Sequence, residues 1–315
     1  LTMNVEDMAS YDYKDAKAYV LEAGDYEIKL MNNSHDVIDS RTYTVDETVV
    51  YGEDNKRDSD QIAATNQFDD VTYGDPNVKY VSRADWEGTL PTERTPDREA
   101  AAELIEKLNY DGVVDDPDEE PIVIKDNGIK FEDMKGVPYD DPKWNLLLEQ
   151  VTVEEMVNLI GIGGYVTQEL PSIDKPLTVE VEGPLGMNSF MNGIAGVKFP
   201  SKVVLASTFN TDLAKEMGER VGDECQIHGY DGIMAPAMNI HRTPFSGRNF
   251  EYYSEDAFLS GMMGANEVQG YNEKGVNTFL KHFALNDQET NRYAVSVWCN
   301  EQAARELNFK PFELS

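Results

Sequence analysis

The chain has 315 residues, 40% of them apolar, enough for two or three domains with a sizeable core. It carries 59 acidic against 27 basic residues, a net charge of -32, which argues against nucleic acid or an anionic membrane as a partner, because phosphate binding needs concentrated Lys and Arg. No apolar run approaches the length of a membrane span, and the two cysteines, Cys225 and Cys299, lack the spacing of a disulfide framework or a zinc site.

The N-terminal LTMNVEDMAS has no basic region followed by an apolar one, so it does not read as a signal peptide. It also lacks an initiating Met and reads as the interior of a longer polypeptide. The compartment therefore stays open, with the cytoplasm the favoured expectation. In AGDYEIKLM, Tyr26, Ile28 and Leu30 alternate with charged residues, as in a half-buried strand. MNNSHD follows as a turn, and its Asn32-Asn33-Ser34 is a glycosylation sequon of a kind common by chance. VIDSRTYTV and ETVVY are again β-rich, so residues 1–51 form part of a small antiparallel β-unit. Its first half is expected to be missing, since a free-standing sandwich needs about seven strands.

Residues 52–141 are rich in Asp, Glu, Asn, Pro and Gly and read as an extended acidic connector, with disorder the alternative for its most acidic parts. DREAAAELIEKLNY (97–110) is its one clear helix, and VVDDPDEEP an acidic loop.

From residue 142 helices and strands alternate. Thr152-Val153-Glu154-Glu155 is a capping box opening a helix. PLTVEV is a strand ending at Glu182, and KVVLAS (202–207) reads as another. Leu213, Met217, Val221 and Cys225 mark one face of a helix. GIMAPAMNI (232–240) is a buried strand, and Ser254 is placed to cap the helix that follows. GVNTFLKHF is the next strand, VSVW a weaker one, and NEQAARELNFKPF a closing helix with Asn300 as cap. Repeated β-α units with apolar strands predict a parallel sheet. GIGGY follows a helix rather than a strand, so it is no dinucleotide-binding loop. Polar clusters after strand ends suit a (β/α)8 barrel, but a whole barrel needs about 250 residues, so only part of one is expected here.

Four clusters fall at strand ends: Glu182 in VEGPLGMN, the run HRTPFSGRNFEYYSED (241–256), Lys281-His282, and Arg292. Each sugar hydroxyl both donates and accepts, so cations beside a carboxylate suit a polyol. Phe245, Phe250, Tyr252 and Tyr253 offer apolar faces for sugar rings. Singly, each has a plainer reading, as a surface Arg, a core Tyr or a solvated Lys.

EGPLGMN, FPSKVVLASTFN, APAMNIHRTPFSGRNFEYYSED, KHFALNDQETNR and RELNFKPFE together resemble glycoside hydrolase family 3, the β-glucosidase group, over residues 142–315. AYVLEAGDYEI and NSH resemble the end of that family's fibronectin-like domain, here preceding the barrel as in its permuted subgroup. The resemblance implies an α/β fold: a partial (β/α)8 TIM-type barrel preceded by part of a fibronectin-like β-sandwich. It implies a fragment of a retaining exo-β-glycosidase acting on terminal non-reducing β-linked sugars. The substrate would be a β-linked oligosaccharide or glycoside, with no metal and no organic cofactor. Exposed barrel edges call for a partner, either the remaining part of the enzyme or a second copy.

By the same resemblance Arg248, Lys281, His282 and Arg292 match residues that bind sugar hydroxyls. Glu182 stands where the family has an Asp gripping the far end of the sugar. The extra methylene pushes the carboxylate into the pocket and hints at a pentose such as xylose, though one methylene is worth only about 1–3 kcal/mol. The family's nucleophile, an Asp in an SDW-like motif, and its acid/base carboxylate are both expected outside this chain. Asp256 and Glu251 match positions with structural roles. The alternative is a catalytically inactive carbohydrate-binding or structural homologue.

Lys281 and His282 pose a geometric problem, since adjacent side chains on a regular strand point to opposite faces. Both reach one site if the strand ends at Leu280 and the backbone departs there, by a bulge or a cis bond.

Overall fold

The computed structural model describes residues 3–68, 121–242, 244–293 and 299–315, with residues 102, 105, 106, 112, 295 and 297. The predicted loop VVDDPDEEP up to Glu120, Ser296 and Trp298 of the predicted strand VSVW, and nearly all of the helix predicted over 97–110 lie outside the described residues, while Val295 and Val297 belong to no strand. The chain forms two compact units, Leu1–Leu108 with Thr290–Lys310, and Asn109–Glu289 with Pro311–Ser315.

In the first unit, β1 (Ser10–Asp12), β2 (Ala18–Leu21) and β5 (Val49–Tyr51) make an antiparallel sheet in the order β1-β2-β5. Tyr11, Tyr19 and Leu21 are buried, and the Tyr11 and Tyr19 rings meet edge to face at 5.1 Å. The Arg57 guanidinium lies over the Tyr19 ring at 3.5 Å. Strands β3 (Gly24–Met31) and β4 (Val37–Val45) pair as a separate hairpin with an irregularity at Leu30/Met31. The alternation in AGDYEIKLM does mark a strand, but its apolar face is not buried. Ile28 and Leu30 stay exposed because the hairpin stands apart from the three-stranded sheet. Asn300 caps α6 (Glu301–Ala303) by accepting from the Ala303 N–H at 2.7 Å, and the chain continues as a π-helix over Ala304–Phe309. Glu301 and Glu306 hold the sheet side: Glu301 accepts the N–H groups of Gln67 and Phe68, and Glu306 that of Tyr11 at 2.7 Å.

The second unit is α/β. Strands β7 (Thr178–Glu182), β10 (Gly232–Met234) and β11 (Asn277–Thr278) are parallel neighbours in the order β11-β10-β7. The short β6 (Val166–Thr167) runs antiparallel to β7 on one side. β8 (Asn188–Ser189) and β9 (Ile194–Ala195) fold back beyond Glu182. Val181, Ile233, Ala235 and Val276 form a core with Met217, Val221 and Cys225 of α4 (Thr211–His228). Three of the four residues predicted to line that helix face are buried; Leu213, at the first turn, is not. Helix α4 crosses α5 (Ala257–Glu273) at Gly218 and Gly270, where a Cβ would collide with the backbone of the other helix. The preceding helices are α1 (Lys143–Leu148) and α2 (Val153–Gly161), the latter opened by the Thr152 capping box as predicted.

Several boundaries differ from expectation. KVVLAS is not a strand but α3 (Lys202–Ala206). Its Val-Val pair favours β locally, but Lys202 and Ala206, one turn apart, are the buried positions, and Lys202 ends on Glu267 of α5. Helix α5 is capped by Asp256, which accepts the Leu259 N–H at 2.6 Å, rather than by Ser254. Ser254 instead accepts the Asp256 N–H. The strand predicted over 232–240 stops at Met234, since Pro236 has no N–H to continue the ladder. Residues 235–240 remain buried, and the pairing with the next strand resumes only as an isolated bridge from Ala237 to Lys281. No helix among the described residues is long and apolar enough to cross a membrane.

Candidate functional site

Because β7, β10 and β11 are parallel and in register, their C-terminal ends open on one edge of the sheet. Parallel α/β sheets place their chemistry at that edge. Glu182 is the last residue of β7. Lys281 lies just beyond β11, its N–H donating to the Pro236 carbonyl and its own carbonyl accepting from Met238 N–H at 2.6 Å. The Lys281 Nζ meets Glu182 Oε2 at 2.7 Å, with both side chains largely shielded, at 13% and 23% exposure. The Lys281–His282 peptide bond is cis, the departure from strand geometry that the tandem of polar residues called for.

His282 is seated by Asn239, whose Oδ1 accepts the His282 N–H at 2.7 Å and whose Nδ2 donates to the His282 carbonyl at 3.0 Å. Its ring Nδ1 lies 3.1 Å from the Tyr252 hydroxyl, which also accepts from Asn286 Nδ2 at 3.0 Å. Burial pushes the Tyr252 hydroxyl up to about 12, opposed by the Asn286 hydrogen bond and by the charge of Arg248, so it stays protonated at neutral pH. Arg248 is paired with the buried carboxylate of Glu251 and has Glu289 Oε1 at 4.0 Å. Burial works against the Arg248 cation, but the Glu251 pairing outweighs it and raises its pKa further. Glu251 and Asp256 thus have the structural roles expected of them, one holding Arg248 and the other capping α5.

Three of the five predicted residues therefore form one constellation, Glu182 with Lys281 and the adjacent His282, whose ring meets Tyr252. Arg248 stands at the start of the short turn that Tyr252 closes, paired with Glu251. Arg292 belongs to the other unit, where its guanidinium lies over the Tyr293 ring at 4.7 Å. Three supporting residues were not singled out from sequence: Asn239, Asn286 and Tyr165. Asn239 and Asn286 lie inside motif runs, which was the available signal. Tyr165 ends a glycine-rich turn and carried none. Its hydroxyl donates to Glu182 Oε1 at 3.1 Å. Near the same edge, burial raises the carboxyl of Asp287 above the usual carboxylate range, with Arg242, 3.9 Å away, opposing it.

A carboxylate and an ammonium paired at a sheet edge, beside an imidazole, can accept from and donate to several hydroxyls at once. Residues 146–314 match the family model described as the glycosyl hydrolase family 3 N-terminal domain. The chain is 38% identical over 172 residues to β-glucosidase B of Emericella nidulans, covering 54% of this chain and 20% of that protein. It is 40% identical over 152 residues to a β-glucosidase of Ruminococcus albus, covering 48% and 16%. It thus spans about a fifth of the length of the curated relatives it matches. Among solved structures, a β-glucosidase from Paenibacillus barengoltzii is similar over 98% of this chain and 34% of its own, at 25% identity and a TM-score of 0.69. A β-glucosidase from Kluyveromyces marxianus, solved in complex with glucose, is similar over 54% and 21%, at 32% identity and a TM-score of 0.51.

Proposed function

The chain belongs to glycosyl hydrolase family 3, and we propose on that premise that it carries the sugar-holding part of a retaining exo-β-glycosidase of the β-glucosidase type. The observation that carries this reading is the Glu182–Lys281 pair at 2.7 Å, beside His282, on the C-terminal edge of three parallel strands. Glu182 accepts from sugar hydroxyls, Lys281 donates to them, and His282 and Arg248 extend the array along the ring. The second unit is the first part of a TIM-type barrel, and residues 1–51 the end of a fibronectin-like domain. Similarity to the Paenibacillus barengoltzii structure along nearly the whole chain supports this order.

Retention of configuration needs two carboxylates about 5–5.5 Å apart, one nucleophile and one acid/base. Glu182 is committed to Lys281, Glu251 to Arg248 and Asp256 to a helix N-terminus. None of the three is a free nucleophile, and our reading assigns both catalytic carboxylates to further polypeptide, so that this chain holds a sugar and does not cleave it alone. A second reading within the class rests on Glu182 being a glutamate: its longer side chain crowds a hydroxymethyl group and favours a pentose.

Calorimetric titration of the chain with D-glucose and D-xylose, beside hydrolysis of nitrophenyl β-glucoside and β-xyloside, tests the proposal. Monosaccharide binding that Lys281→Ala weakens roughly 10- to 100-fold, with no turnover by residues 1–315 alone, is the expected result. Turnover by the purified chain refutes the division of labour, and a strong glucose preference removes the pentose reading. Absence of sugar binding refutes the site.

A further inference from the structure

We propose that Tyr165 is a positioning residue for Glu182, holding the longer acidic side chain of this chain in the rotamer that engages a sugar. This inference rests on the sugar-binding reading of the site. The Tyr165 carbonyl accepts the Glu180 N–H at 2.9 Å, which places Tyr165 opposite Glu180 at the start of the β6–β7 pairing. Glu182 lies two residues further along the same face of β7, the diagonal position within reach of a long aromatic side chain. The Tyr165 hydroxyl spans that diagonal and donates to Glu182 Oε1 at 3.1 Å, while Lys281 occupies Oε2 at 2.7 Å.

One donor on each oxygen, from two different elements, fixes the plane of the carboxylate and leaves lone pairs on both oxygens for a sugar hydroxyl. Burial, helped by the adjacent Glu182 charge, pushes the Tyr165 hydroxyl up to about 12, so it remains a donor wherever Glu182 is ionised near neutrality. The ring is itself braced. Phe190, at the turn after β8, meets it edge to face at 5.4 Å, and β8 is anchored on Glu182 through the Asn188 pairing. Phe190 is 63% exposed, so its contact with Tyr165 is a wall at the mouth of the site rather than part of the core. A glutamate has one more rotatable bond than an aspartate, and the Tyr165 hydroxyl, together with Lys281, restrains it.

The test is a double-mutant cycle in this protein, with D-glucose and D-xylose as probes and calorimetry as readout. Tyr165→Phe keeps the ring and its contact with Phe190 and removes only the hydroxyl. It is expected to weaken monosaccharide binding about 10-fold, the scale of one hydrogen bond to a charged group. In a Glu182→Asp background the same substitution should change affinity by less than about 2-fold, because the shorter carboxylate no longer reaches the hydroxyl. A purely structural role for Tyr165 predicts equal losses in both backgrounds, and that additivity overturns the proposal, as does no loss in Tyr165→Phe. Lys281→Ala separates the two levels. If affinity is unchanged by it, or if the native protein binds neither sugar, the sugar-site reading falls and the positioning role with it. If Lys281→Ala weakens binding roughly 10- to 100-fold while Tyr165→Phe is silent, only the positioning role falls.

Discussion

Glu182 and Lys281 are 99 residues apart in the chain, and their side chains meet at 2.7 Å across the C-terminal edge of a parallel sheet. The pair is largely shielded, so removing one partner costs more than at a surface ion pair and less than at a fully buried one. Lys281→Ala should leave the Glu182 carboxylate without its strongest donor and remove a donor to sugar hydroxyls. Affinity for D-glucose or D-xylose should fall roughly 10- to 100-fold, the range for a charged hydrogen bond. Isothermal titration checks this, and an unchanged thermal midpoint would show that the loss is local.

A second charge pair is wholly buried. Lys202 and Glu267 are both 0% exposed, and Glu267 also accepts from the Tyr253 hydroxyl at 2.5 Å and the Tyr271 hydroxyl at 2.9 Å. Burial lowers the Lys202 pKa, with Glu267 acting to raise it. Lys202→Met should strand a carboxylate in the core at a cost of about 3–5 kcal/mol. That corresponds to a fall in melting temperature of about 10 °C or more for a unit of this size. Adding Glu267→Gln should restore more than half of the loss, since glutamine needs no countercharge and still accepts from a tyrosine. A double variant no more stable than Lys202→Met would contradict this.

The α4–α5 crossing depends on two glycines. A Cβ on Gly270 would run into the Lys215 carbonyl oxygen, and one on Gly218 into that of Glu267. These obstacles are backbone atoms, which cannot rotate aside. Gly270→Ala should therefore destabilise the second unit by about 1–3 kcal/mol, although alanine is the better helix former by about 1 kcal/mol. Chemical denaturation measures the balance. A stabilised variant would mean that the helices separate without cost.

The Thr152 capping box has a pH signature. Burial acts to raise the Glu155 pKa, but hydrogen bonds from the Ser172 and Thr152 N–H groups and the Thr152 hydroxyl outweigh it and bring the group down to about 2. A depressed carboxylate contributes stability above its unfolded value of 4.5 and loses it as pH falls from there towards about 2. Glu155→Gln should cost about 1 kcal/mol at neutral pH, as for loss of a cap. Its disadvantage relative to the native chain should vanish over that acid window. Melting curves at several pH values test the slope, and a constant difference across the window would exclude Glu155 as its source.

What could be read locally was read correctly: the Thr152 and Asn300 caps, the strand ending at Glu182, the helix carrying Met217, Val221 and Cys225, and motif runs dense enough to imply the family. These features depend on residues within a few positions of one another, where capping and periodicity act. Other features depended on distant partners. KVVLAS looks like a strand until Lys202 finds Glu267, 65 residues on, and a helical turn is what brings it there. The α5 cap is a local feature that pattern misplaced: Asp256, two residues after Ser254, is the residue that accepts the Leu259 N–H. Tyr165 gives no sign of function in sequence, since its neighbours are glycines and its partner lies across a strand pair. Which chemical groups are present, and in which motif runs, is written in the order of residues; of the predicted site residues, Glu182 closes a strand, whereas Arg248 and Arg292 lie in turns. Only the tertiary structure decided which groups meet, because a parallel sheet aligns the ends of segments far apart in the chain, and contact between such segments leaves no local pattern to read.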